Sequence, residues 1–301
     1  MTDPAVRHWT VPDPISVCHV RLDDRTVIPV RRYGNPSAPR LVLSHANGFA
    51  IDLYYPFWSL LADDFDLVLY DLRNHGWNEV GVRDQHNIPV MIRDHDKVLE
   101  AISLHYGPKT TIGIFHSLSA LITLFSRETR LRARVLFDPP VCKPGNDQME
   151  FDAAAMRNAA TTRNRADRFE RREDYAELLR YMPTFSRVVP GIRELMARTT
   201  LRERDDGQGF ELRCPREFEA QIMDYVRSFS PLVDFSEVSG PIKVIGADPT
   251  APYSYLPAFD LSDLTTVDYD FIPDSTHLLQ LEDPEGCVAA IRPFLERNAD
   301  R

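Results

Sequence analysis

The feature that most constrains the fold is a regular alternation of short apolar strands with helical segments between residues 40 and 137. Four runs have the composition of buried strands: Leu41 to Ser44, Leu67 to Tyr70, Thr110 to Phe115 and Ala133 to Phe137. In the first segment between them, the apolar residues from Tyr54 to Leu61 recur at i, i+3, i+4 and i+7, which indicates a helix. This alternation predicts a mostly parallel sheet with helices on both faces.

The alternation is interrupted once. Four further strands complete the predicted set: Ile15 to Leu22, Thr26 to Arg32, Ile242 to Ile245 and Thr266 to Phe271. Between residues 141 and 240 the chain is helix-prone and shows no strand–helix alternation. We therefore expect an eight-stranded core domain built from residues 1–140 and 241–301. Residues 141–240 are expected to form a helical cap inserted after the sixth strand.

The charge and the apolar runs exclude several classes of partner. The 301 residues include 45 acidic and 35 basic ones, giving a net charge of −10 that disfavours nucleic acid or an anionic membrane as a partner. A small, neutral or cationic ligand fits this charge better. The most apolar stretch, Ile112 to Phe125, is shorter than the roughly 20 residues of a membrane-spanning helix. The first fifteen residues contain no apolar run, so we expect no signal peptide and a cytoplasmic protein.

The cysteines do not form a paired motif. Four are present, no two of them closer than 72 residues: Cys18, Cys142, Cys214 and Cys287. Zinc sites and redox motifs usually bring two cysteines within a few residues of each other. We therefore expect free thiols, with no metal and no cofactor required.

A serine stands where the fifth predicted strand runs into a helix. Ser117 would lie on a tight turn, with the helix N-terminus and the backbone N–H of Leu118 directed at any negative charge that develops there. A serine hydroxyl is a weak nucleophile unless a base takes its proton. The hypothesis of a nucleophilic Ser117 therefore requires a histidine and an orienting carboxylate elsewhere in the chain.

Candidates for both partners follow later strands. His277 comes after the eighth strand and Asp248 after the seventh, and the carboxyl ends of strands are where open α/β sheets gather their sites. Asp138, after the sixth strand, is an alternative carboxylate.

The third strand ends in a turn that can supply a second backbone N–H to an oxyanion. We expect Asn47 to provide it, together with Leu118. His45 and His116 flank the site, and we interpret them as structural hydrogen-bonding residues around the substrate pocket. Asp138 is placed in the same pocket.

Four motifs in this order resemble those of serine hydrolases of the α/β-hydrolase fold. They are His45-Ala46-Asn47-Gly48 for the oxyanion loop, Asp71-Leu72-Arg73-Asn74-His75-Gly76 for the turn after strand four, His116-Ser117-Leu118-Ser119 for the nucleophile elbow, and Thr276-His277 with Glu282-Asp283-Pro284 for the histidine loop. The resemblance covers nearly all of the chain outside the cap. It implies a triad of Ser117, His277 and Asp248 that acts on a small-molecule ester through an acyl-enzyme. The spacing of 29 residues from Asp248 to His277 suits the family.

The chain departs from the family pattern at three positions. The family usually has glycine two residues before and two residues after the nucleophile and directly after the oxyanion-loop histidine, where this chain has Phe115, Ser119 and Ala46. These departures leave open a ligand-binding member without turnover. Hydrolysis of a lactone, an amide or a carbon–carbon bond and cofactor-free oxygenation are further alternatives, and Asp138 as the working acid would favour the last.

Overall fold

The computed structural model describes residues 8–142, 146–253, 255–262, 264 and 267–299. Numbered in chain order, the strands of its large sheet are β1 Ser16–Arg21, β2 Val27–Gly34, β3 Arg40–Ser44, β4 Asp66–Tyr70, β5 Thr111–His116, β6 Ala133–Phe137, β10 Ile242–Gly246 and β11 Asp268–Phe271. Their spatial order is β1-β2-β4-β3-β5-β6-β10-β11. The β1–β2 and β2–β4 pairs are antiparallel and the remaining pairs are parallel. The predicted eight-stranded, mostly parallel sheet is confirmed; Thr266, the predicted start of the last strand, lies outside the described residues.

The helices follow the strands as the alternation predicts. They are α1 Tyr55–Trp58, α2 Ile88–Tyr106, α3 Leu118–Leu124, α4 Asn146–Asn164, α5 Arg172–Arg180, α6 Ile192–Thr200, α7 Arg216–Phe229, α8 Leu279–Glu282 and α9 Pro284–Ala299, and 3-10 turns occupy Ile51–Tyr54, Ser59–Leu61, Arg83–Gln85, Pro183–Phe185, Ser230–Leu232 and Phe235–Glu237. The longest core helix, α2, begins where the Asn87 side chain accepts a hydrogen bond from the Val90 N–H and ends at Gly107.

Both faces of the sheet are buried. Along β3, Leu41 and Leu43 belong to one apolar cluster, and Val42 between them belongs to the cluster on the opposite face. Strands whose side chains alternate between two apolar layers are typical of parallel sheets covered by helices. A ligand can therefore reach the sheet only at its edge, where the loops lie. None of the helices within the described ranges is long and apolar enough to cross a membrane.

The segment between β6 and β10 carries α4 to α7 and a small sheet that the sequence did not predict. This sheet is antiparallel in the order β7-β9-β8, with β7 Arg168–Phe169, β8 Leu201–Glu203 and β9 Phe210–Leu212. Strands of two or three residues are too short to produce a recognisable period. Apolar residues of α5 and α6, such as Leu179 and Leu195, share a buried cluster with Phe57 of the core.

Candidate active site

Ser117 lies on a strained turn at the carboxyl edge of the sheet. Its φ of 51° is in the left-handed region, which costs energy for a residue other than glycine. Its N–H donates to the Phe137 carbonyl of β6 at 3.0 Å, and its own carbonyl accepts from Leu121 in the first turn of α3 at 2.9 Å. Hydrogen bonds to β6 on one side and α3 on the other therefore hold the backbone in this conformation.

The family glycines missing from the elbow are replaced by specific packing. The ring of Phe115 lies against Gly113, where a Cβ would overlap it, and meets the His95 ring edge-on at 5.1 Å. The Ser119 hydroxyl donates to the His116 carbonyl and accepts from the His116 N–H, both at 3.0 Å. Gly113, two residues before Phe115, thus leaves space for the Phe115 ring, and the Ser119 side chain stabilises the turn through its two hydrogen bonds.

Three buried side chains form a continuous hydrogen-bonded line at this edge. His277 Nε2 lies 2.8 Å from Ser117 Oγ, and His277 Nδ1 lies 2.5 Å from Asp138 Oδ2. An ionised carboxylate only accepts hydrogen bonds, so the imidazole proton is on Nδ1 and the lone pair of Nε2 faces the serine. This is the tautomer that can take a proton from Ser117.

Asp248 does not reach His277, which corrects the sequence-based assignment of the acid. Its Oδ1 accepts from the Thr250 hydroxyl at 2.7 Å and the Thr250 N–H at 2.8 Å, and its Oδ2 accepts from the Asp274 N–H at 3.0 Å. The Thr250 hydroxyl and the backbone N–H donors lower the pKa of this carboxyl. Asp248 therefore joins its own loop to the backbone of the loop that carries His277, outside the catalytic line.

The strand register explains why Asp138 takes that place. His116 of β5 is paired with Phe137 of β6, so the next residues, Ser117 and Asp138, emerge side by side at the sheet edge. The Asp138 Oδ1 also accepts from the Ala247 N–H at 3.2 Å, which fixes the carboxylate. Both Asp138 and Asp248 follow strands, and Asp138 lies beside Ser117 only because β6 is the neighbour of β5 in the sheet.

The two proposed oxyanion donors lie near the serine. Asn47 and Ser117 both line one cavity, and Leu118 follows Ser117 at the start of α3. Within the described ranges, the backbone N–H groups of Asn47 and Leu118 have no hydrogen-bond acceptor. Both groups are therefore free to donate to a ligand, and their role as oxyanion donors stays a prediction.

His116 is buried behind the site and connects the oxyanion loop to the catalytic histidine. Its Nε2 lies 2.8 Å from the His277 carbonyl and its Nδ1 lies 2.6 Å from the Tyr54 hydroxyl, which accepts from the Ala46 N–H at 3.2 Å. Burial, and then the nearby His277, hold the pKa of His116 well below its ordinary value. The neutral ring therefore donates from Nε2 and accepts at Nδ1.

His45 is likewise a buried hydrogen-bonding residue. Its Nδ1 lies 2.7 Å from the Ala46 carbonyl, and its Nε2 accepts from the Leu72 N–H at 3.0 Å. Burial lowers its pKa, although Asp71 beside it acts in the opposite direction. His45, His116 and Asp138 do not line the cavity, so their predicted place in the wall of the substrate pocket is corrected: they lie behind that wall.

The cavity next to Ser117 has a volume of about 350 Å³ and is bounded by the oxyanion loop and the segment between β6 and β10. Much of its wall is apolar, with Phe49, Leu179 and Phe185 among the lining residues. Two charged side chains also line it, Arg165 and Glu219. Neither residue could be identified from the sequence, because an arginine just after a helix and a glutamate within one carry no signal of the cavity they face.

A buried group of potential metal ligands lies on the other side of the oxyanion loop. His75, His86 and Cys214 bring their ligand atoms within 4.8 Å of one another, although they are distant in sequence. The Nε2 of His75 accepts from the Gly48 N–H at 3.0 Å, and the Nδ1 of His86 lies 2.8 Å from the Asn74 amide nitrogen. A metal ion would have to displace the bond from Gly48, so the three residues fit a hydrogen-bonded support of this loop better than a metal site.

Comparison with known proteins agrees with this fold. A model of the alpha/beta hydrolase family matches residues 41–290. A search of curated protein sequences gave no match.

Solved structures with the same fold have varied activities. E-2-(acetamidomethylene)succinate hydrolase is 16% identical, with a TM-score of 0.75 over 93% of this chain and 99% of that one. A thermophilic esterase from Thermogutta terrifontis is 18% identical, with a TM-score of 0.66 over 94% and 99%. An N-formylmaleamic acid deformylase from Pseudomonas putida S16 is 17% identical, with a TM-score of 0.62 over 92% and 100%. At these identities the likeness establishes the fold.

Proposed function

The chain belongs to the alpha/beta hydrolase family, and from that premise we propose that it is a serine hydrolase acting on a small-molecule carboxylic ester. Ser117 attacks the acyl carbonyl, and His277 takes the serine proton and returns it to the leaving alcohol. Asp138 holds the imidazole in the required tautomer and stabilises the imidazolium. The N–H groups of Asn47 and Leu118 hold the oxyanion, and water then releases the acyl group.

The observation that carries the proposal is the unbroken line from Ser117 through His277 to Asp138, at 2.8 and 2.5 Å. All three side chains are buried, so each hydrogen bond is formed away from competing water. A ligand-binding member without turnover would not need a base with its lone pair on the serine. The triad therefore favours the enzyme over the binding module.

The cavity supports a small substrate. Its volume of about 350 Å³ lies at the lower end of the roughly 300–1,000 Å³ that is usual for small-molecule pockets. We place the acyl group there and propose that residues 141–240 act as the cap that closes over it. The similar structures include an esterase, a deformylase and the hydrolase of a succinate derivative, so proteins of this fold are named for more than one kind of hydrolysis.

The four free cysteines support the predicted cytoplasmic location. Disulfides are rare in that compartment, because thiols are kept reduced there.

Turnover of short acyl esters tests the proposed function. Methyl and 4-nitrophenyl esters of increasing acyl length are assayed with the wild-type protein and with Ser117→Ala. We expect hydrolysis by the wild type and a loss of at least about a thousandfold in the variant, as for other serine triads. Equal rates for the two proteins, or ligand-induced stabilisation with no hydrolysis, would contradict the proposal.

One observation favours a second candidate, cofactor-free oxygenation. An acid at the end of the sixth strand favours this reaction, and Asp138 in that position is the carboxylate that contacts His277. An oxygen electrode distinguishes the two reactions, since ester hydrolysis consumes no oxygen. Oxygen uptake in the absence of esterase activity would support the oxygenase.

A further inference from the structure

One ion pair lies in the wall of the cavity beside Ser117. Arg165, which follows α4, contacts the carboxylate of Glu219 on α7. Among the described residues that line the cavity, these two are the only charged ones. Their side chains are only 22% and 6% exposed, so both charges are largely removed from bulk water.

Stability alone does not account for this pair. Removing two charges from water has a large desolvation cost, and apolar residues of similar volume often stabilise a protein as well or better. The cavity is otherwise suited to apolar groups. Binding pockets usually combine apolar walls with a few polar groups that orient the ligand, and Arg165 with Glu219 fits that role.

The Arg165 guanidinium has donors to spare. It carries five N–H groups, and its Nη2 contacts Glu219. Among the described residues the guanidinium makes no other hydrogen bond; its Nε is fully buried, but the side chain as a whole is 22% exposed. An incoming acceptor can therefore be bound without breaking the ion pair.

The ion pair also lies close to the reacting centre. Gly48 of the oxyanion loop has no Cβ, and one added there would overlap the Glu219 carboxylate. The Asn47 side-chain amide donates to the Glu219 backbone carbonyl at 2.8 Å. Only the Glu219 carboxylate thus separates the guanidinium from the loop proposed to hold the oxyanion.

We infer that Arg165 recognises a carboxylate on the acyl part of the substrate, which makes the substrate class the half-esters of short dicarboxylic acids. A guanidinium is planar and matches a carboxylate with two parallel hydrogen bonds. Because Arg165 lies close to the oxyanion loop and the cavity is small, only a few carbons fit between the ester carbonyl and the carboxylate of the substrate. Glu219 holds the guanidinium in position and weakens its attraction for an added anion. The inference rests on the proposed function, and it replaces the neutral or cationic ligand expected from net charge, because the local charge meets the substrate.

The test compares two esters that match in shape and differ in charge: monomethyl glutarate and methyl glutaramate, which carries a carboxamide in place of the carboxylate. The measured quantity is the ratio of their kcat/KM values. A charge-assisted hydrogen bond predicts a ratio of about 10 to 100 for the wild type. Arg165→Gln should bring the ratio close to one. Glu219→Gln should raise it several-fold, because the guanidinium loses its competing anion.

Arg163→Gln is the matched control. Arg163 pairs with Asp224 at 2.5 Å between the same two helices, and neither residue lines the cavity. This variant should keep the wild-type ratio. If Arg165→Gln does not fold, the neutral double variant Arg165→Gln/Glu219→Gln replaces it, with a ratio expected near one.

Protection of Ser117 from a fluorophosphonate by free glutarate gives a readout that needs no turnover. Glutarate should protect the wild type at lower concentration than it protects Arg165→Gln. A wild-type ratio near one together with equal protection of both proteins would overturn the inference, and so would a fall in the ratio in Glu219→Gln. Absence of any labelling of Ser117 contradicts the proposed function itself, whereas labelling without a preference for the carboxylate contradicts only the role of Arg165.

Discussion

Replacing Asp138 by asparagine should prevent His277 from acting as a base without changing the shape of the site. In the native protein, Oδ1 of Asp138 accepts from the Ala247 N–H at 3.2 Å and Oδ2 faces Nδ1 of His277 at 2.5 Å. The Ala247 N–H fixes the asparagine oxygen on its own side, so the new NH₂ group faces the imidazole. Because that group donates, Nδ1 must accept and the ring proton moves to Nε2. His277 then presents N–H, and no lone pair, to Ser117.

The size of the effect follows from this change of tautomer. The equivalent substitution in a serine protease triad lowers kcat about ten thousandfold, which corresponds to about 5.4 kcal/mol of transition-state stabilisation. Asp248→Asn is the matched control, because the half-buried Asp248 accepts from Thr250 and from the backbone of the histidine loop without contacting the His277 ring. Its kcat/KM should fall by no more than about tenfold, since the substitution removes at most one hydrogen bond worth about 1 kcal/mol and leaves the tautomer of His277 unchanged.

The assay is steady-state hydrolysis of one ester by the three proteins, with circular dichroism to confirm that each is folded. The reasoning fails if Asp248→Asn loses as much activity as Asp138→Asn. It also fails if folded Asp138→Asn retains more than about a tenth of the wild-type kcat/KM.

Three further predictions concern stability. Burial lowers the pKa of five histidines: His45, His75, His86, His95 and His116. For His86 and His95 the folded pKa is about 3, so the unfolded chain binds more protons below pH ~6.5. The two histidines therefore contribute fully to the free energy of unfolding above that pH, and the contribution falls as the pH falls, by ~3 kcal/mol for the pair at pH 5.5. A free energy of unfolding in urea that does not decrease between pH 7.5 and 5.5 would contradict this. Tyr54→Phe leaves the Ala46 N–H without its acceptor and should lower the free energy of unfolding by about 1–3 kcal/mol; an unchanged urea midpoint would contradict the network. In Gly113→Ala the added methyl group overlaps the Phe115 ring, which should lower the free energy of unfolding by about 1–3 kcal/mol. Adding Phe115→Leu to this variant should restore part of that loss. Losses that simply add in the double variant would argue against this packing.

The sheet was predictable because its strands are regular. The central strands β3 to β6 and β10 are short, fully buried apolar runs, and strand–helix alternation leaves few topologies open. Ser117 was predictable for the same reason, since it directly follows a strand, and His277 because it lies in the loop after the last strand of the sheet. The Phe115 substitution marked the elbow as unusual, and Gly113 beside it could have indicated where the ring lies.

The acid and the cavity wall were not predictable from one sequence. Asp138 and Asp248 are both aspartates before proline at strand ends, and the choice depends on which strand is the neighbour of β5. Arg165 and Glu219 lie 54 residues apart, and their pairing depends on how α4 packs against α7. Contacts of this kind arise from tertiary packing, which cannot be predicted from local sequence propensity.

Covalent labelling of the nucleophile tests the central claim most directly. The protein is incubated with a fluorophosphonate, digested, and the modified peptide is sequenced by mass spectrometry. The triad predicts one adduct, on Ser117, that is absent in Ser117→Ala and forms far more slowly in Asp138→Asn. An adduct on another serine, or equal labelling of wild type and Ser117→Ala, would contradict it.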